Sequence, residues 1–227
     1  MRIALKNKPL TIQIEQDNPD IYRLERNGPL EADAECWHSF DLACKRLGVT
    51  YKHLGYTGGG DHSLTTIQVT RGTLDEAFLS AVSVLADLPT AELATQLNQG
   101  GIFGPKPDEP DFSYLNEETS SAELKDWAID YYNANGIEDP ESLNDLERNS
   151  LFRFRSVPVE ALKHNLEGAY NSAIKVEAFR HLLRRKALLP PLICRRRGWL
   201  LYEGYHRLAA CVAEHCDEVS CVIMGRT

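Results

Sequence analysis

The chain has 227 residues, 43% hydrophobic and 26% charged, which supports a buried core and argues against wholesale disorder. No apolar run approaches the ~18 residues of a membrane span, and no signal-like segment opens the chain, so a cytoplasmic protein without membrane insertion is expected. The net charge of −8 is uneven: residues 1–150 hold 12 Lys and Arg against 26 Asp and Glu, and residues 151–227 hold 13 against 7. A basic C-terminal part suggests a polyanion or nucleotide site there, with attraction between the two parts as the competing reading.

In chain order, residues 2–14 alternate loosely, and LTIQI reads as a strand. Glu31–Leu47 places Ala34, Trp37, Phe40, Ala43, Cys44 and Leu47 at helical spacing, and Gly48 is a suitable C′ residue. Two β-prone runs flank Gly58-Gly59-Gly60 and predict a hairpin. Leu74–Leu88 reads as a helix with Thr73 as its N-cap, and a short helix is expected from Thr90. These elements make a small α+β domain over residues 1–100. Residues 101–150 are expected to form a linker and helical arm. Its first part is rich in Pro, Gly and acids and a poor core former. A helix follows over Ser121–Tyr132, capped by Ser120 or Ser121 and ending near Asn135-Gly136, and another turn spans Pro140–Asn149.

The last part, residues 151–227, reads as strand (RFRSVP), short helix, basic helix Ala173–Arg185, strand LIC, the turn RRRG, strand WLLYE, helix His206–Cys216 and strand EVSCVIM. Six cysteines are present and none forms a CxxC pair. Cys211, Cys216 and Cys221 recur every five residues, which suits neither a zinc ribbon nor one helix face, so they read as small buried hydrophobes.

In YEGYHRLAAC a strand ends at Glu203, Gly204 lets the backbone turn closely, and a helix starts at once. The unpaired N–H groups and dipole of that helix favour an anion, and His206 and Arg207 in the first turn are placed to reach phosphate oxygens. A purely structural turn is the alternative. Two other stretches have candidate chemistry. Arg195, Arg196, Arg197 and Trp199 at the second hairpin suit a nucleic-acid backbone with base stacking, or equally docking onto the acidic residues 107–118. The loop Tyr56–His62 reads as a hairpin tip; Asp61 and His62 lack a partner carboxylate at metal-binding spacing, so no metal site is expected.

The order VPVEALK, a basic helix, LLPPLIC, RRRGWLLYEGYHRLAAC and EVSCVIM resembles the ParB/sulfiredoxin fold family over the C-terminal third. The resemblance implies a ParB/sulfiredoxin-like domain behind the small α+β one, an α+β chain overall. It implies ATP or another nucleotide held at Gly204, Tyr205, His206 and Arg207, with Lys175 reaching phosphate and Glu167 or Glu203 as base. Mg²⁺ would offset the phosphate charge. Sulfiredoxin chemistry is not expected, because Tyr205 stands where that enzyme has its reactive cysteine. Nor is a centromere clamp, because only about 20 residues follow Arg207. The arrangement is similar to plasmid fertility-inhibition proteins of the Osa/FiwA kind. That likeness implies a nucleotide phosphohydrolase or DNase acting on DNA in mobile-element biology. The other expectation is a non-catalytic inhibitor or adaptor that binds a protein partner through the acidic N-terminal domain.

Overall fold

A computed structural model describes residues 2–4, 11–28, 30–59, 62–102, 109–134, 140–169 and 172–225. The chain forms two compact units, Met1–Gly104 with Ser172–Ile174, and Pro105–Asn171 with Lys175–Thr227. Both mix helix and sheet. Among the described residues no helix is long and apolar enough to cross a membrane.

Among the described residues, the first unit holds a five-stranded sheet and three helices. Strands β1 (Arg2–Ala4), β2 (Thr11–Asn18), β3 (Ile21–Asn27), β4 (Thr50–Gly59) and β5 (His62–Arg71) pair antiparallel in the order β1-β2-β3-β5-β4. Helices α1 (Leu30–Leu47), α2 (Glu76–Ala86) and α3 (Thr90–Gln99) complete it. The expected hairpin is present as β4 and β5, but β3 is an addition to the sequence reading. Its inward positions are Tyr22, Leu24 and Arg26, so a buried arginine interrupts the apolar alternation that marks a strand. Arg26 is satisfied by the Ser63 hydroxyl at 2.9 Å and the Gly28 carbonyl at 2.6 Å. The cap of α2 is Asp75 instead of Thr73. The Asp75 carboxylate accepts from the Phe78 N–H at 2.9 Å, and the helix therefore starts two residues later.

The second unit is a four-stranded sheet in the order β6-β9-β7-β8, from β6 (Leu151–Pro158), β7 (Leu192–Arg195), β8 (Leu200–Glu203) and β9 (Glu218–Gly225). Only β7 and β9 run parallel. Helices α4 (Ser121–Ala134), α5 (Pro140–Arg148), α6 (Val159–Leu162), α7 (Ala173–Arg184) and α8 (Tyr205–Ala213) surround it. The apolar runs Leu192–Cys194 of β7 and Cys221–Met224 of β9 lie at the centre of the sheet, where both faces are covered. Along β7, Leu192 and Cys194 point into a core with Leu162, Leu208 and Cys211, while Ile193 points into a second core with Trp127 and Tyr132.

That second core corrects the reading of residues 101–150 as a linker and arm. Leu124, Trp127, Ala128, Tyr131 and Tyr132 of α4 and Leu146 of α5 bury against Phe152, Val222 and Met224. Leu115 joins them from the acidic stretch. Ser120 caps α4 in a reciprocal box. Its hydroxyl accepts from the Glu123 N–H at 3.3 Å, and the Glu123 carboxylate accepts from the Ser120 N–H at 3.1 Å. The expected helix end at Asn135-Gly136 lies outside the described residues.

Candidate functional site

The turn between β8 and α8 is built on Gly204, which has φ +110 and is buried. A side chain there would press on Leu192 Cδ2 and lie 3.1 Å from Arg207 Nη2, so only glycine suits both backbone and space. The first intrahelical bond of α8 runs from the Leu208 N–H to the Gly204 carbonyl at 2.9 Å. The N–H groups before it lie at the positive end of the helix. A cleft of about 590 Å³ opens at this point, lined among others by Asn165, Glu167, Glu203, Gly204, Tyr205 and His206. Five of the residues singled out from sequence thus come together: Glu167, Glu203, Gly204, Tyr205 and His206.

Arg207 does not line the cleft, although the sequence places it with the phosphate ligands. Its guanidinium is buried and forms an ion pair with Glu203. Nη1 also donates to the carbonyls of Pro190 at 2.6 Å and Pro191 at 3.3 Å, and the group lies 5.3 Å from the centre of the Tyr131 ring. Burial works against its charge. Glu203 foremost, with Tyr131 and Glu109, more than restores it, and the pKa stands above the ordinary arginine value. This arginine holds the turn in place, and little of it is left to meet a ligand. The same pair binds Glu203 Oε2, so of the two expected bases Glu167 is the one exposed at the cleft.

Tyr205 donates its hydroxyl to the Leu201 carbonyl at 2.8 Å. Burial, with Glu203 next, raises its pKa above the usual phenol value. His206 differs from a phosphate-binding cation. Burial, then Lys175 and Arg207, pull its pKa down from 6.5 to about 4, so the ring is neutral at pH 7. Its Nε2 is buried without a hydrogen-bond partner. Lys175, in the first turn of α7, is half-buried and close enough for its charge to act on that ring. Between about pH 6.5 and 4 the unfolded chain carries the His206 proton and the folded chain does not, so acidification through this window costs stability. His206→Gln is expected to flatten the decline, measured as urea midpoints at intervals from about pH 7 to 4.

The candidates at the second hairpin separate. Arg195 forms an ion pair with Asp145 at 3.6 Å, while Arg196 and Arg197 are exposed. Trp199 is half-buried. It packs against the core beneath α8, and its carbonyl accepts from Asn165 Nδ2 at 2.9 Å. His62 pairs with Glu25 at 3.0 Å across β3 and β5, and Asp61 lies outside the described residues. Among the described residues no group of three or more His, Cys, Asp or Glu is arranged to hold a metal ion.

One residue of structural weight escapes the sequence reading. Asn165 donates to the Leu162 carbonyl at 2.7 Å as well as to Trp199, and accepts from the Leu201 N–H at 2.9 Å. It ties one wall of the cleft to β8. Its sequence signal is its own turn propensity in LKHNLEG, three residues before Gly168.

No family model, curated protein or solved structure matches the chain.

Proposed function

We propose that this is a ParB/sulfiredoxin-like nucleotide-binding protein whose cleft at the start of α8 takes the phosphates of ATP or another nucleotide. The observation that carries the reading is the cleft itself: a left-handed glycine delivers a helix N-terminus to it, beside the neutral His206 and the charge of Lys175. Two carboxylates at the same cleft, Glu167 and Glu203, would repel phosphate alone. They fit a Mg²⁺ ion, which is commonly held by one or two carboxylates together with substrate phosphates. When bound, that ion would neutralise phosphate charge; Glu167 is the group free to take a proton from an attacking water or hydroxyl. Phosphohydrolase or DNase activity in plasmid biology follows from the resemblance, with the exposed Arg196 and Arg197 as the DNA-facing charges.

The engagement of Arg207 with Glu203 favours a second reading, binding without turnover, because it removes a charge clamp and one base from the cleft. In that case the protein is an inhibitor or adaptor, and the acidic N-terminal unit meets the partner. A thermal-shift series on the full-length protein with ATP, CTP and GTP, with and without Mg²⁺, tests the shared claim. Ligand at about 100 times Kd is expected to stabilise by about 2.7 kcal/mol. Mg²⁺-dependent phosphate release that disappears in Glu167→Gln supports the enzyme; a shift without release supports the adaptor. No shift with any nucleotide contradicts nucleotide binding, with or without turnover.

A further inference from the structure

The five-residue spacing of Cys211 and Cys216 has a physical reason in the way α8 ends. The Cys216 N–H donates to the Cys211 carbonyl at 2.9 Å, the His215 N–H donates to the Val212 carbonyl at 3.2 Å, and His215 has φ 54. This pair of bonds is a helix cap that brings the side chain two residues past the cap residue Glu214 onto a side chain of the helix's last turn. The long-range bond of the same cap closes α1 (Val49 to Cys44, 2.9 Å), α3 (Ile102 to Leu97, 2.9 Å) and α7 (Ala187 to Leu182, 3.0 Å). Each of those brings at most one thiol to its contact. At α8 the two residues that the cap brings together are both cysteines, and both thiols are free.

Their exposure differs. Cys211 is buried in the core beneath α8, whereas Cys216 is half-buried at its edge. Cys194 and Cys221, in the same core, have no exposed surface. We propose that Cys211 and Cys216 are a reversible thiol–disulfide site, with Cys216 the thiol that meets the oxidant and Cys211 the thiol that resolves it. The oxidant is a hydroperoxide. The Cys216 thiolate attacks one peroxide oxygen, an S–O bond forms as the O–O bond breaks, and the departing oxygen takes a proton to leave as water or alcohol. The Cys211 sulfur, giving up its proton, then attacks the Cys216 sulfur. An S–S bond forms, the S–O bond breaks, and the second oxygen leaves as water. Two thiols lose two electrons and the peroxide gains them. Burial, with Cys216 next, pushes the Cys211 thiol up to about 12, which agrees with the order in which the two react.

The test uses the full-length protein treated with hydrogen peroxide, alkylated after unfolding, and digested after glutamate. Cleavage after Glu203, Glu214 and Glu218 puts Cys211, Cys216 and Cys221 on separate peptides. The expected product joins peptide 204–214 to peptide 215–218 with the loss of two hydrogens, disappears with dithiothreitol, and leaves Cys194 and Cys221 alkylated. In Cys211→Ser, Cys216 is expected to accumulate as sulfinic acid in place of the link. Wild-type protein whose Cys216 is oxidised without joining Cys211, or stays reduced under peroxide that oxidises free glutathione, would overturn the proposal.

Discussion

Arg207→Ala is expected to destabilise the second unit by about 3–5 kcal/mol, the range seen when one partner of a buried ion pair is removed. The guanidinium joins three parts of that unit: Glu203 at the end of β8, the carbonyls of Pro190 and Pro191 before β7, and the Tyr131 ring on α4. Truncation leaves those two carbonyls without this donor and Glu203 without its counter-charge. Lysine is not expected to rescue the loss, because an ammonium lacks the planar fork that reaches a carboxylate and two carbonyls at once. Urea unfolding followed by tryptophan fluorescence measures the effect. Unchanged stability with lost nucleotide binding would instead place this arginine on the ligand.

The second large effect belongs to Gly204→Ala. At φ +110 a residue with a Cβ is strained by about 1–3 kcal/mol. Its methyl would also press into Leu192, which has no exposed surface and little room to move, at a further ~1–3 kcal/mol. Gly168, also at the cleft, provides the control. It has φ +72, but nothing lies within 4 Å of the position a Cβ would take. Gly168→Ala is therefore expected to lose only the backbone part. Equal losses at the two glycines would contradict the tight packing of the α8 turn.

The strand–glycine–helix order at Glu203–Tyr205 is legible in the sequence because each part depends on near neighbours: an apolar run, one glycine, and a small-residue helix. The role of Arg207 is not. A cation in a first helical turn reads as an anion ligand, and only the approach of Pro190, Pro191 and Tyr131 turns it into a buried pin. The partial burial of Trp199 is hidden for a related reason. At a hairpin tip an indole reads as exposed, yet its φ of 50 and the packing beneath α8 hold it against the core. The helical arm hides its part in the fold because acids surround its apolar face. Leu124, Trp127, Ala128 and Tyr131 still keep three- and four-residue spacing, and that face is what β6 and β9 cover. In β3 the buried Arg26 conceals the strand, since its partner Ser63 comes from a different part of the chain.

Calorimetric titration of the full-length protein measures nucleotide binding at the α8 cleft without an indirect readout. Ala169 lines the cleft and is half-buried, so Ala169→Trp is a means of filling the space without disturbing the Arg207–Glu203 pair. Saturable, Mg²⁺-dependent binding of a nucleoside triphosphate to the wild type is expected, lost in Ala169→Trp while the urea midpoint stays the same. Binding that survives the filled cleft, or no heat with any nucleotide in Mg²⁺, would contradict it.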